Sequence, residues 1–314
     1  MTYDIIIVGA GPAGLTAALY AARFLRSVLV LHDDTPRAAQ IPLTRNVPGH
    51  DAGIAGCDLL ERMTRHAEVS GATIVQARVT DARRSDGQFI LTGTDGTTWC
   101  GRALILATGV AQNQPPLPGD VHQAAVDAGV LRYCPVCDGF EHRGERIAVL
   151  GCDISGAAEA LFLAGYSADV TLLPRLDVAL TAGERRDLDA AGIRVRTDAV
   201  TRFEPTDRHM LLHLEGHCEP LCFDVLYPAL GSRPRGELAQ CLSLSTTAAG
   251  KASDTAPFGT EIPGLYCAGD LVEGLDQISV AMGHGAVAAT KAHNWLRDAD
   301  GETVDAVLGH DADS

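Results

Sequence analysis

The sequence predicts an α/β protein made of two Rossmann-like dinucleotide-binding domains, the second inserted in the first. Three observations lead there. Two short apolar runs, "YDIIIVG" near the start and "RIAVLG" from Arg146, each end in glycine. Each leads into an Ala/Leu-rich helical stretch and then into another apolar run. The two βαβ openings lie about 140 residues apart in a chain of 314, a length that suits two medium domains. Short apolar strands alternating with helices imply parallel sheets covered on both faces.

The elements follow in order. "YDIIIVG" is a β-branched strand, "GPAGLTAALYAARF" a helix and "SVLVLHDD" a second buried strand. "ALILATGVAQNQPPLPG" is a strand that runs into a Gly/Pro-rich exit, the composition of a domain crossing. The second unit then reads "RIAVLG" as strand, "SGAAEALFLAGY" as helix and "ADVTLL" as strand. "DVLYPALGSRPRG" marks a similar exit, after which "GLYCAGD" and "SVAMGHGAVAATKAHNWL" resume a strand, loop and helix. The expected division is 1–114 with 246–314 for the first domain and 115–245 for the insertion. From about Asp298 the chain is acidic and poor in large apolar residues, so it is expected to fray.

Composition excludes several classes. Hydrophobic residues at 46% and charged residues at 21% suit a water-soluble protein, and no apolar run is long enough to span a bilayer. The N-terminus enters a strand pattern at once, with no leader segment, so a cytoplasmic location and no membrane partner are expected. A net charge of -15 repels phosphate backbones and argues against nucleic acid. Nine cysteines, an odd number and mostly scattered, argue against a disulfide framework and leave one close pair with redox spacing, Cys134 and Cys137.

"VGAGPAGL" places Gly9, Gly11 and Gly14 between a strand and a helix. Gly9 permits the tight turn, Gly11 lets the backbone approach a pyrophosphate, and Gly14 lets helix and strand pack. The helix N-terminus then faces the phosphates. The acid that would bind a ribose hydroxyl is Asp33 or Asp34, at the end of the second strand.

"CPVCDG" carries redox spacing. Two cysteines three apart can close a disulfide across a turn or helix start, and a positive helix end there lowers a thiol pKa. Pro135 stiffens the link, and Asp138 puts a carboxyl beside the second sulfur, where it can exchange protons. A zinc site completed by His213, His217, Cys218 and Cys222 of "HLEGHCEPLC" is the rival use of the pair, although that stretch also reads as an ordinary strand and turn. No metal is assigned.

The second cradle breaks the glycine rule. After Gly151 come Cys152, Asp153, Ile154, Ser155 and Gly156, so an aspartate stands where the middle glycine belongs. A side chain there adds bulk against a pyrophosphate, and a carboxylate adds like charge.

The order GxGxxG, "ATG" at Ala107–Gly109, CxxCDG, a second nucleotide fold, then "GLYCAGD" and a Gly/Ala-rich helix resembles the low-molecular-weight thioredoxin reductases. The resemblance runs from about residue 3 to about 297 and includes "NVPG" from Asn46 and "DLLERMTRHAEVSGATI". It implies FAD on Gly9, Gly11, Gly14 and Asp33, with Asn46, Thr108, Gly109 and Asp270 contributing and Gln277 and Ile278 near the isoalloxazine. It implies that Cys137 faces the flavin, Cys134 attacks the substrate disulfide and Asp138 is the acid/base. It implies a homodimer acting on a thioredoxin-like protein or a small dithiol. NADPH users of this kind carry a basic cluster after the next strand. Here "LLPRLDVAL" supplies only Arg175, and Arg185 and Arg186 are wrongly spaced. NADPH or NADH use is therefore expected to be weak or lost, with a protein donor such as ferredoxin in its place. The alternatives are a dithiol oxidase that forms a disulfide in a small molecule or peptide with O2 as acceptor, and a non-catalytic flavin-binding partner, against which the intact "CPVCDG" argues.

Overall fold

A computed structural model of the chain describes residues 1–33, 36–253 and 259–302. Asp34, the second candidate for the ribose acid, lies outside them. The chain divides into one unit of Met1–Ile41, Ile54–Ala111 and the residues from Arg233 onward, and another of Pro42–Gly53 and Gln112–Ser232.

In the first unit the strand Thr2–Val8 is central, with every residue of Ile5–Ile7 fully buried. It pairs in parallel with Val28–His32 on one side and Thr98–Leu106 on the other. Thr73–Gln76 extends one edge, and Leu265–Cys267 pairs in parallel with the end of Thr98–Leu106. Val79–Ser85 and Gln88–Gly93 add an antiparallel extension. The register puts Val8 beside Leu106 and Leu106 beside Cys267, so three strands end level. Loops that leave level carboxyl ends form the usual ligand crevice of such sheets.

Helices Pro12–Arg23 and Ile278–Ala299 cover one face through alanines, including Ala13, Ala17, Ala288 and Ala292. Small residues are needed because the backbones approach closely: a Cβ on Gly285 would lie 2.1 Å from the Ala13 carbonyl oxygen. On the other face Leu238, Ala239 and Leu244 join the cluster of Leu29, Leu31 and Leu104. That burial draws residues 233–245 into the first unit, so the return crossing falls at Ser232/Arg233 and not at 245/246.

The second unit repeats the plan on a smaller scale. Arg194–Val195, Val170–Val178, Ile147–Cys152 and Val225–Pro228 form a parallel sheet in that order. Val200–Pro205, Met210–Leu214 and Leu221–Phe223 form an antiparallel one. The strand expected to stop at Leu173 continues through Pro174 to Val178. A register shift between Leu150 and Cys152 lets Cys152 pair with Val178. Proline is tolerated at such an irregularity because the ladder is already interrupted.

Asp298 to Glu302 are not frayed. The long helix ends at Ala299, and the Asp300 carboxylate is gripped by Arg26 and Arg102. The Glu302 amide donates to the Arg297 carbonyl at 2.8 Å. Charge neutralisation supplies here what apolar burial does not. Residues 303–314 lie outside the description. No helix among the described residues is long and apolar enough to cross a membrane.

Candidate active site

The first cradle is built from sterics. Gly9 has φ +111°, and a Cβ there would sit 2.3 Å from the Ala107 carbonyl oxygen. Gly14 has no room either, since its Cβ would meet the Gly9 carbonyl oxygen at 1.9 Å. Gly11 differs. It caps the helix in extended backbone, and among the described residues the one atom near its absent Cβ is Pro36 Cβ at 3.8 Å. Glycine at that position keeps space open in front of the helix N-terminus, and a pyrophosphate needs that space.

Two neighbours join at the level strand ends. Gly269, at φ +72°, packs on Ala13, and Asp270 follows in the turn Gly269–Leu271. The Asp270 carboxylate pairs with Arg37 at 2.8 Å. Burial raises its pKa, against the pull of Arg37. Arg37 was not singled out in the sequence, where "RAAQ" carries no pattern that points to a partner more than 200 residues away. Asp33 is exposed and lines a pocket with Gln76, Ala77, Arg78, Thr94 and Asp95. The Thr108 hydroxyl donates to the Arg235 carbonyl at 2.6 Å, and the Gly109 carbonyl accepts from the Arg235 amide. Gln277 caps the long helix that Ile278 begins. Asn46 lies in Pro42–Gly53 of the second unit, with its side-chain oxygen accepting from the Thr44 hydroxyl.

The second cradle has the same skeleton. Gly151 has φ +131°, and its Cβ would lie 2.8 Å from the Ala229 carbonyl oxygen. A Cβ on Gly156 would lie 1.6 Å from the Gly151 carbonyl oxygen. The middle residue is also an extended N-cap, but it is Asp153, and its Oδ1 accepts from the Gly156 amide at 3.0 Å. The helix therefore carries its own anion at its N-terminus. Burial, and secondarily the Asp153 charge, push the Glu159 carboxyl on the next turns up to about 7. Its Oε2 is buried without a hydrogen-bond partner. Arg175, Arg185 and Arg186 are exposed, the first on the strand Val170–Val178 and the other two on the helix Ala182–Ala190.

The raised Glu159 pKa makes a stability prediction. Below about pH 4 the carboxyl is neutral folded and unfolded, so it contributes nothing to the difference. As pH rises, the unfolded chain ionises first and the folded state loses ground until Glu159 itself ionises near 7. Glu159→Gln is expected to raise the thermal midpoint at pH 8 and leave it unchanged at pH 4. Equal gains at both pH values would refute the ionisation argument.

Cys134 and Cys137 form a disulfide, both half-buried. Cys134 caps the turn Pro135–Asp138, and Pro135 is its first residue. The pair therefore spans the start of a single helical turn, as its spacing predicts. Gly139 is needed for space: a Cβ there would meet the Pro135 carbonyl oxygen at 2.7 Å. Asp138 accepts a hydrogen bond from the Tyr227 hydroxyl at 2.7 Å and faces Arg132 Nε at 3.6 Å. The stretch weighed as half of a zinc site is otherwise engaged, with His213 beside Glu204 at 2.9 Å and His217 beside Asp198 at 3.4 Å. No group of three or more metal-ligating side chains occurs among the described residues.

Two Rossmann-like units in one chain, with a CxxC disulfide just ahead of the second unit's first sheet strand, define a flavin-linked disulfide oxidoreductase. The model of the pyridine nucleotide-disulphide oxidoreductases matches residues 3–285. A thioredoxin reductase of Coxiella burnetii is 31% identical, the match covering 94% of this chain and 96% of that one. A 34.2 kDa protein in a rubredoxin operon of Clostridium pasteurianum is 28% identical over 93% and 97% of the two chains. The crystal structure of thioredoxin reductase from Streptococcus pyogenes superposes with a TM-score of 0.87 at 26% identity, covering 95% and 99%. The chain belongs to the pyridine nucleotide-disulphide oxidoreductase family, in its low-molecular-weight thioredoxin reductase-like branch. It is an FAD-dependent disulfide oxidoreductase of the thioredoxin reductase type.

Proposed function

We propose that the chain moves electron pairs between FAD in its first unit and a substrate disulfide or dithiol through Cys134 and Cys137, and that its second unit does not use NADPH or NADH efficiently. The observation that carries the second half is Asp153. Its carboxylate accepts the helix N-terminal amide that a pyrophosphate would need.

FAD fits the first unit. The space at Gly11 would admit a pyrophosphate, Gly9 and Gly14 hold the turn, and Asp33, in a pocket with Gln76 and Arg78, is the candidate for the ribose hydroxyls. Asp270, oriented by Arg37, lies at the same strand ends and would bind the ribityl-phosphate region, with Thr108, Gly109, Gln277, Ile278 and Asn46 as further candidates. Bound FAD supplies two-electron chemistry. Cys137 exchanges with the flavin side, and Cys134 attacks the substrate disulfide. Asp138 gives or takes the proton that accompanies each sulfur's change of state.

Electrons then enter through a protein carrier such as ferredoxin, and the working form is a homodimer serving a thioredoxin-like protein or small dithiol. The rubredoxin-operon relative supports a setting among small redox carriers. The rival direction is dithiol oxidation with O2 as the final acceptor. It uses the same residues, with Asp138 accepting protons instead of giving them.

The test is an anaerobic titration of the yellow holoprotein with NADPH, NADH, a reduced ferredoxin and dithiothreitol, following flavin absorbance. Slow or absent bleaching by both nicotinamides, with fast bleaching by ferredoxin, is the expected result. Fast bleaching by NADPH would overturn the proposal and restore a conventional reductase. Bleaching by dithiol alone would select the oxidase.

A further inference from the structure

Asp138 does not stand alone beside the disulfide. Leu131 bridges in parallel to Leu226, the Arg132 amide donates to the Leu226 carbonyl at 2.9 Å, and the Leu226 amide donates to Val130 at 2.9 Å. This short ladder brings Arg132 and Tyr227 to the same carboxyl group. Tyr227, fully buried, donates its hydroxyl to Oδ1, while Arg132 Nε faces Oδ2. That Nε is buried and has no hydrogen-bond partner. The His142 ring stands edge-on to Tyr227 with centroids 6.1 Å apart, and its Nδ1 lies 2.6 Å from Glu145.

We propose that Tyr227 and Arg132 are positioning residues that set the protonation of Asp138 for thiol–disulfide exchange. The inference rests on Asp138 being the acid/base of the proposed function. Two-electron cleavage of the Cys134–Cys137 bond, with electrons from the flavin side, leaves two thiolates, and each becomes a thiol by taking one proton. In the reverse direction two thiols lose two protons as the S–S bond forms. A neighbouring carboxyl serves both directions only if it is neither locked as an anion nor permanently protonated.

The surroundings pull in opposite directions. Burial favours the neutral carboxyl, and Glu141 adds to that. The Tyr227 hydrogen bond, then Arg132, then His142 favour the carboxylate. The Tyr227 phenol is itself held protonated by burial and by Asp138, with Glu145 adding to the effect, so it donates a hydrogen bond without exchanging its proton. With Oδ1 occupied by the phenol, the exchangeable proton belongs on Oδ2, the oxygen that Arg132 faces. The Arg132 charge disfavours a proton on that oxygen, which keeps the proton transferable.

The sign of the test follows. Removing the Tyr227 hydroxyl or the Arg132 charge removes a contribution that favours the carboxylate, so Asp138 keeps its proton to higher pH. The experiment is the pH dependence of anaerobic flavin reduction by dithiothreitol in the FAD-loaded protein, each variant divided by the unmodified enzyme. Tyr227→Phe and Arg132→Gln are each expected to move the Asp138-dependent midpoint upward by about one pH unit. Arg132→Lys is expected to return it most of the way. FAD content and the concentration dependence on dithiothreitol stay unchanged in all three. A midpoint unmoved in both Tyr227→Phe and Arg132→Gln overturns the inference. Asp138→Asn separates this failure from that of the underlying reading. If the midpoint survives in Asp138→Asn, Asp138 is not the acid/base; if it vanishes there yet does not move in the other two, only the positioning role is lost.

Discussion

The Cys137→Ser variant is expected to bind FAD at full stoichiometry and to lose disulfide turnover by at least about a thousandfold. The two parts of this result rest on different residues. The Gly9–Gly14 cradle and the Asp270–Arg37 pair belong to the first unit, and residue 137 belongs to the second. FAD content measured by absorbance should not change. Cys134 keeps its thiol and can still attack a substrate disulfide, expelling one substrate thiolate and leaving a mixed disulfide. The sulfur that would resolve that bond is gone. Incubation with a disulfide substrate should therefore leave a covalent adduct on Cys134, seen as a mass increase that dithiothreitol removes. Cys134→Ser should lose turnover equally and trap nothing from the same substrate. Normal turnover in Cys137→Ser would refute the exchange route, and trapping on residue 137 in Cys134→Ser would reverse the assigned roles.

The two nucleotide folds were legible because their determinants are local and steric. Gly9, Gly14, Gly151 and Gly156 stand where a Cβ would strike a carbonyl oxygen, and no other residue type leaves that space. The apolar runs of Ile5–Val8 and Ile147–Leu150 are buried throughout, as unbroken runs in parallel strands must be. The anomaly at Asp153 was visible for the same reason, since the pattern fixes what each position does. The features that were not legible are pairings across long sequence separations. Arg37 with Asp270, Tyr227 with Asp138, and Arg26 and Arg102 with Asp300 are brought together by the fold, and nothing near any of these residues marks its partner. The strand read as ending with "ADVTLL" runs on to Val178 because of a register shift on its neighbour that no sequence pattern marks. At Asp298 to Glu302, the described start of the acidic end, composition measures apolar burial and overlooks the two arginines that pair with Asp300. The redox pair itself was found from spacing. Pro135–Asp138 is a single turn that Cys134 begins, and the Tyr227 hydroxyl that donates to Asp138 comes from a strand 89 residues away, which no spacing near the pair announces.

The Asp153→Gly variant is expected to bind NADH and NADPH about tenfold to a hundredfold more tightly than the unmodified protein. Like charges about 4 Å apart repel by on the order of 4 kcal/mol at an effective dielectric near 20, roughly a thousandfold in affinity. Asp153 is exposed, so solvent and salt reduce that figure, which sets the lower range. The substitution also frees the Gly156 amide, now occupied by Oδ1, to face a phosphate. The backbone at Asp153 is extended and needs no left-handed glycine, so the change should not cost much stability. With no basic cluster after the following strand, the gain should be similar for the two nicotinamides, because nothing rewards the extra phosphate of NADPH. The converse substitution tests the same physics in the first unit. Gly11→Asp places a carboxylate at the equivalent extended N-cap, where the one obstacle near a Cβ among the described residues is Pro36 at 3.8 Å, so the fold should tolerate it. FAD content should nevertheless fall sharply. If Gly11→Asp retains FAD and Asp153→Gly gains no nicotinamide by calorimetric titration, a carboxylate at the middle position does not block a cradle. Any weakness in nicotinamide binding would then have to be traced to the sequence after the following strand, where Arg175 is the single nearby base.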